Sequence, residues 1–471
     1  MDESTTTTAD DRLTAYLSEH ADRFVEEMKE LLRIESVSID PARAAGVAEC
    51  AEKVADDLRA GGVDEVEVVP TPGNPIVVGS HVVDPDAPTL LVYGHYDVQP
   101  EDPVELWDSP PFEPTEREGR LYARGAIDDK GQVHLHIKAV ETRLASGVGL
   151  PVNVKFVIEG EEEVGSTHLA GFLEEHSDRL ACDAVVVSDT GMIAPGVPTI
   201  AVGLRGIAYL EVHVRGPKGD LHSGEYGGAV VNPANALAEI IAGLRDEKGR
   251  VTIPGFYDDV RPITDADRER LAELPHDDGE LMEQTGVSAL GGEAGYSTLE
   301  RLGFRPTLDV NGLLGGYTGE GAKTVLPATA MAKVSMRLVP SQEPGTVEQQ
   351  FIDHVHALAP EGVRVEIRRH HGGLPWAADP EHPVFEAAAA ALRRTFGRDP
   401  VYVREGGSIP IIPLFERTFG APVLLLGFGL PGSNLHAPNE WIDLATYHKG
   451  IETVVRFYDE AIRGRYPVDP T

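Results

Sequence analysis

The residues best able to do chemistry in this chain are histidines and acids at five places. Gly94-His95-Tyr96-Asp97 offers an imidazole with a carboxylate two residues on. Asp128-Asp129, Glu161-Glu162-Glu163, Ser188-Asp189 and Asn434-Leu435-His436 follow. A histidine can bind a metal through one ring nitrogen while a nearby carboxylate, here Asp97, takes the other ring N–H and sets the tautomer. His95, Asp128, Glu163, Asp189 and His436 make a mixed imidazole and carboxylate donor set that suits zinc and admits manganese or cobalt. Five ligands are awkward for one zinc but fit two divalent ions that share a carboxylate and lie about 3.5–4 Å apart. Glu162 suits a general base, because it stands beside a ligand without being tied up as one. Each stretch alone has an ordinary reading: His95 in a loop, a solvated run of glutamates, an acidic pair at a helix start, His436 in a turn. Their joint occurrence outweighs these separate readings.

Most of these stretches follow apolar runs of strand length. Residues 89–93 precede His95, residues 152–158 precede the glutamates, and residues 184–187 precede Asp189. Further strands are expected at 66–69 and 75–79. Helices are expected at 12–33, 44–60, 133–144 and 169–180, the second ending at Gly61-Gly62. Strands alternating with helices predict an α/β sheet, whose ligands sit beyond the carboxyl ends of the strands. The texture changes near Arg205-Gly206. Residues 209–215, 330–339 and 363–367 alternate like half-exposed strands, 231–244 and 347–358 are helical, and 246–300 show no clean pattern. A smaller α+β domain inserted at 207–375, between catalytic parts at 1–206 and 376–471, accounts for this. Helices at 384–396 and 444–462 and a strand at 423–426 complete the outer parts.

At 471 residues the chain is too long for one core. Its hydrophobic content of 41% and charged content of 25% are those of a soluble globular protein. No apolar run is long enough to span a membrane, and residues 1–11 have no signal-peptide pattern. Two cysteines, Cys50 and Cys182, are too few for a disulfide framework, and a reducing cytoplasm is expected. The net charge of −36 disfavours nucleic acid and anionic membrane as partners. Only 10 of the 41 basic residues are lysine, so the acidic surface suits high salt. A merely acidic protein from a GC-rich genome is the alternative. No glycine-rich phosphate loop with a lysine appears, which disfavours a phosphoesterase.

The stretches GHYDVQP, RGAIDDKG, EGEEEVGS, VSDT, DLHSGEYGG, GAKTVLP, MRLVP, REGGSIP and NLHAPNE run in order from residue 94 to 440. Together they resemble the M20 family of metallopeptidases, and most closely its cytosolic non-specific dipeptidase (carnosine dipeptidase-like) branch. The resemblance implies a zinc-exopeptidase-like α/β catalytic domain, with a mixed sheet flanked by helices, and an inserted lid and dimerisation domain. It implies that Asp128 bridges two metals, that Glu163 and His436 complete one, and that His95 and Asp189 complete the other. Glu162 is then the general base, and Asp97 orients His95. A cis peptide is implied at Asp128-Asp129. His222 is implied to reach the partner subunit's active site and stabilise an oxyanion, and Thr324, Arg337 and Ser408 to hold the substrate C-terminal carboxylate. An aspartate at 189 resembles dipeptidases and aminopeptidases rather than deacylases. The segment Asn434-Leu435-His436-Ala437-Pro438 departs from the His-Ser-Gln of animal dipeptidases, which leaves side-chain preference open. The implied activity is hydrolysis of dipeptides by a hydroxide bridging two metal ions, in a homodimer. The rivals are an N-acyl-amino-acid deacylase or desuccinylase on the same scaffold and, more remotely, a non-catalytic binding protein.

Overall fold

The computed structural model describes residues 8–407 and 409–462. The chain forms two compact units, one of residues 1–202, 378–403 and 414–471, the other of 203–377 and 404–413. The segment 404–413 thus groups with the inserted unit, although it lies far outside 207–375 in sequence.

In the first unit, strands β1 (Glu65–Val69), β2 (Ile76–His81), β3 (Thr89–His95), β4 (Asn153–Glu159), β5 (Ala184–Val187), β6 (Thr199–Leu204) and β7 (Val423–Leu425) lie in the order β1-β2-β4-β3-β5-β7-β6. The sheet is mixed. β3 runs parallel to both β4 and β5, while β2 is antiparallel to β1 and β4. His95 pairs with Glu159, and Tyr93 with Val187, so these three strands end along one edge. Their residues are almost all buried, the pattern of strands covered on both faces. The covering helices are α1 (Ala9–Leu32), α2 (Ala44–Ala60), α3 (Lys130–Ala145), α4 (Pro383–Phe396) and α5 (Leu444–Ala461). The α/β class with a mixed, helix-flanked sheet is as the sequence predicts.

Helix α3 carries Asp128 and Asp129 at its start and is buried all round, polar residues included. Several of its buried polar groups find partners inside the protein, while His134 Nε2 and His136 Nδ1 have none. Lys130 donates to the Ile34 carbonyl at 2.7 Å, His134 Nδ1 lies 2.7 Å from the Tyr447 hydroxyl, and Lys138 donates to Glu141 at 2.8 Å. Residues 169–180, expected as one helix, form two, Leu169–Glu175 and Ser177–Leu180, which meet at His176.

The second unit holds a four-stranded antiparallel sheet in the order Thr307–Gly315, Thr329–Leu338, Gly206–Arg215, Arg364–Gly373. Strict alternation puts Ala208, Leu210, Val212, Val214, Val334, Met336 and Leu338 on one face, packed with Leu237, Ile240, Val347 and Phe351 of helices Pro233–Gly243 and Pro344–Leu358. Within 246–300, where the sequence shows no pattern, Asp265–Ala272 and Asp278–Thr285 are helices with no buried residue. Side-chain caps from Thr264 and Asp277 start them, so they have no apolar stripe to reveal them.

Candidate metal centre

The carboxyl ends of β3, β4 and β5, the start of α3 and the loop after β7 deliver the candidate ligands to one place. His95 ends β3. Its amide donates to Asp129 Oδ2 at 3.3 Å, and a Cβ on the preceding Gly94 would lie only 2.7 Å from that same oxygen. Only glycine leaves room there for the α3 start. The Asp128-Asp129 peptide is cis.

His95 Nε2 lies 3.1 Å from Asp128 Oδ1 and 3.9 Å from Asp189 Oδ2. His436 Nε2 lies 2.9 Å from Asp128 Oδ2 and 3.4 Å from Glu163 Oε2. His95-Asp128-Asp189 and Asp128-Glu163-His436 are therefore two trios, each with ligand atoms within 4.8 Å of one another. Asp128 belongs to both and turns one oxygen to each histidine.

Asp97 behaves differently from the expectation drawn from H-x-D. His95 Nδ1 is 3.0 Å from the Asp97 backbone carbonyl and 3.5 Å from its carboxylate. The carbonyl is the nearer acceptor, so it orients the ring. The carboxylate accepts instead from the amides of Glu162, at 3.2 Å, and Glu163, at 3.1 Å. Buried Asp97 thus anchors the short turn Glu162–Val164 that follows β4. Gln99 of the same loop donates to Glu163 Oε2 at 2.7 Å, a contact that no periodicity or spacing announces.

The electrostatics are those of crowded acids. Burial pushes the Asp189 carboxyl up to about 6, with the Asp128 charge adding to it and His95 opposing. Burial and the Asp128 charge likewise raise Glu163 to about 7. Glu162 and Asp129 also lie well above the usual carboxylate range, raised by burial first and then by neighbouring carboxylates. Burial also acts on Asp128, but the His436 and His95 imidazoles beside it, at 2.9 and 3.1 Å, outweigh it and hold the group below the usual carboxylate range. His95 Nε2 is buried with no hydrogen-bond partner and points at this acid group. Repelling carboxylates around an unsatisfied imidazole nitrogen fit divalent cations, which relieve both.

The remaining expected residues belong to the second unit. His222 is exposed and accepts from the Gly224 amide at 3.0 Å through Nδ1. It pairs with Val325 across a two-residue ladder, and the Ser223 amide donates to the Thr324 carbonyl at 3.1 Å, so His222 and Thr324 lie side by side. Arg337 is half-buried on the polar face of its strand, opposite Ile207 and Thr307. Burial lowers its guanidinium, with Asp309 opposing. Ser408 lies outside the described residues.

The sequence compares closely with known proteins. The model of "Peptidase family M20/M25/M40" matches residues 91–460. The Cys-Gly metallodipeptidase dug1 of Schizosaccharomyces pombe is 33% identical, over 96% of this chain and 98% of its own. The Beta-Ala-His dipeptidase of Rattus norvegicus is 32% identical, over 96% and 95%. The solved structure of the di-peptidase Dug1p from Saccharomyces cerevisiae superposes with a TM-score of 0.85 at 29% identity, covering 98% of this chain and all of that one. On these grounds, and with the acid and histidine cluster at its strand ends, the chain belongs to peptidase family M20/M25/M40.

Proposed function

We propose that this protein is a metallopeptidase that hydrolyses the peptide bond of dipeptides. The observation that carries the reading is the pair of donor trios sharing Asp128. The two names among its relatives, a Cys-Gly and a Beta-Ala-His dipeptidase, agree on the substrate class.

His95, Asp128 and Asp189 would hold one divalent ion, and Asp128, Glu163 and His436 the other. Zinc suits the donor set best, and manganese or cobalt are accepted. Such a pair, when bound, supplies Lewis acidity and makes water a nucleophile near neutral pH. Glu162 adjoins the ligand Glu163 but belongs to neither trio, which suits a proton carrier. It takes the proton of the attacking water on its carboxylate and returns it to the leaving amine. Asp97 holds that carboxylate in place through the Glu162 and Glu163 amides. Arg337 offers a bidentate fork for the C-terminal carboxylate, and the family resemblance adds Thr324 and Ser408 as residues that hold it. His222 stabilises the oxyanion in the partner subunit's site.

The homodimer reading is supported by strand Thr307–Gly315, at the edge of the second unit's sheet, which exposes Leu313 and Leu314. An apolar, unpaired edge favours pairing with a second copy. Cys50 and Cys182 are both free, in keeping with a cytoplasmic protein. Among the described residues, no helix is long and apolar enough to cross a membrane.

The test is initial rates on a free dipeptide and on its N-acetylated form, with zinc- or manganese-loaded enzyme in high salt and a chelated control. Cleavage of the free dipeptide alone, lost with chelator, is expected. Preference for the acetylated form would move the protein to the deacylases. No turnover of either would refute the dipeptidase reading.

A further inference from the structure

Glu440 is fully buried, and every donor around it comes from the segment that leads to Asp128. Its Oε1 accepts from the amides of Ile127 at 2.9 Å and Asp128 at 3.1 Å. Its Oε2 accepts from the Gly125 amide at 3.0 Å and from Arg124 Nη1 at 2.8 Å. Its backbone carbonyl accepts from the Ala123 amide at 3.1 Å. Five bonds thus fasten residue 440 to residues 123–128, about 310 positions away in sequence. Arg124 is equally buried, and its Nη2 donates to the Pro100 carbonyl at 3.0 Å.

Pro100 closes the loop that carries His95, and Glu440 closes the loop that carries His436. The Arg124–Glu440 pair therefore ties three loops together, and each loop supplies one of the residues that face Asp128 or are Asp128. We propose that Glu440, with Arg124, is a positioning residue: it sets the backbone of Asp128 so that each carboxylate oxygen faces a different histidine, and so governs metal affinity at both trios. The inference rests on the ligand assignment given above. The physical reason is that a carboxylate shared by two ions must be held in one orientation, and a side chain alone rotates freely about its own bonds. Outer hydrogen bonds to metal ligands commonly change affinity by about 10–100-fold when removed. A buried pair of this kind is poor evidence of net stability, so orientation is the better account of its use.

The experiment is zinc affinity of the full-length protein, measured by competition with a chelating indicator, for wild type, Glu440→Gln, Arg124→Lys and a core control, Leu58→Ala. Glutamine keeps the shape of glutamate but turns an NH2 donor toward donors. Lysine keeps the charge but cannot reach Glu440 and Pro100 with one fork. Leu58 is buried on α2, outside the three loops that the pair joins. Two zinc equivalents for wild type are expected, with affinity about 10–100-fold lower in Glu440→Gln, a smaller loss in Arg124→Lys, and none in Leu58→Ala. Clamp variants within twofold of wild type would overturn the proposal, as would a Leu58→Ala loss as large as theirs. If neither clamp variant folds, the pair is a folding determinant and the positioning role is wrong. Wild type that fails to bind two equivalents would instead refute the ligand assignment.

Discussion

Asp97→Asn is the most informative single perturbation of the turn that carries Glu162. The carboxylate accepts two backbone amides, those of Glu162 and Glu163, while wholly buried. Hydrogen bonds to a charged group contribute about 1.5–3 kcal/mol each, against about 0.5–1.5 kcal/mol for a neutral pair. Asparagine can keep one of the two, at neutral strength, and must turn its NH2 toward the other amide. The anchoring of the turn is then weaker by about 2.5–4.5 kcal/mol. A misplacement of about 1 Å at a catalytic group costs on the order of 100-fold in rate, and that corresponds to about 2.7 kcal/mol, within the range lost. We therefore expect kcat on a free dipeptide to fall about 100-fold. KM should change little, since the residues proposed to hold the substrate carboxylate are untouched. The assay is steady-state kinetics at saturating zinc or manganese, with metal content measured on the same sample. A kcat within threefold of wild type, with both metals bound, would refute the claim that Asp97 works through the turn.

Three other outcomes are expected. Glu162→Gln keeps the metal stoichiometry but lowers kcat by about 100- to 10,000-fold, the usual span for a positioned general base; near-normal turnover would give the role to another group. Leu313→Lys with Leu314→Lys puts charge on the exposed edge strand and should convert a dimer to monomers in analytical ultracentrifugation, with loss of activity if His222 acts across the dimer; a fully active monomer would remove that role. Raising KCl from about 0.1 M to about 1 M shortens the screening length from about 10 Å to about 3 Å, so a chain of net charge −36 should melt at higher temperature; a fall in melting temperature would refute salt adaptation of the surface.

Much of the fold was legible because its signals are local. The apolar runs that become β3, β4 and β5 are continuous, as doubly covered strands are, and helix α2 lies at Ala44–Ala60 as its spacing and terminal glycines predict. The candidate donors were legible too, because imidazole and carboxylate at strand ends restrict the chemistry whatever the packing. Other elements carried no local signal. Helices Asp265–Ala272 and Asp278–Thr285 bury nothing and so show no stripe, whereas α3 was legible as a helix but the burial of its polar residues was not.

By itself, the sequence determined which side chains could hold metal, the order in which they arrive, and the strands that end beside them. Only the tertiary structure decided how they are used. It gave each Asp128 oxygen its own histidine, handed the orienting of His95 to a backbone carbonyl, and turned the Asp97 carboxylate toward the Glu162 turn. It also brought Glu440 to the amides before Asp128. The reason is that residue type is a property of one position, whereas a hydrogen bond depends on where two distant backbones come to rest, and only the completed packing sets that.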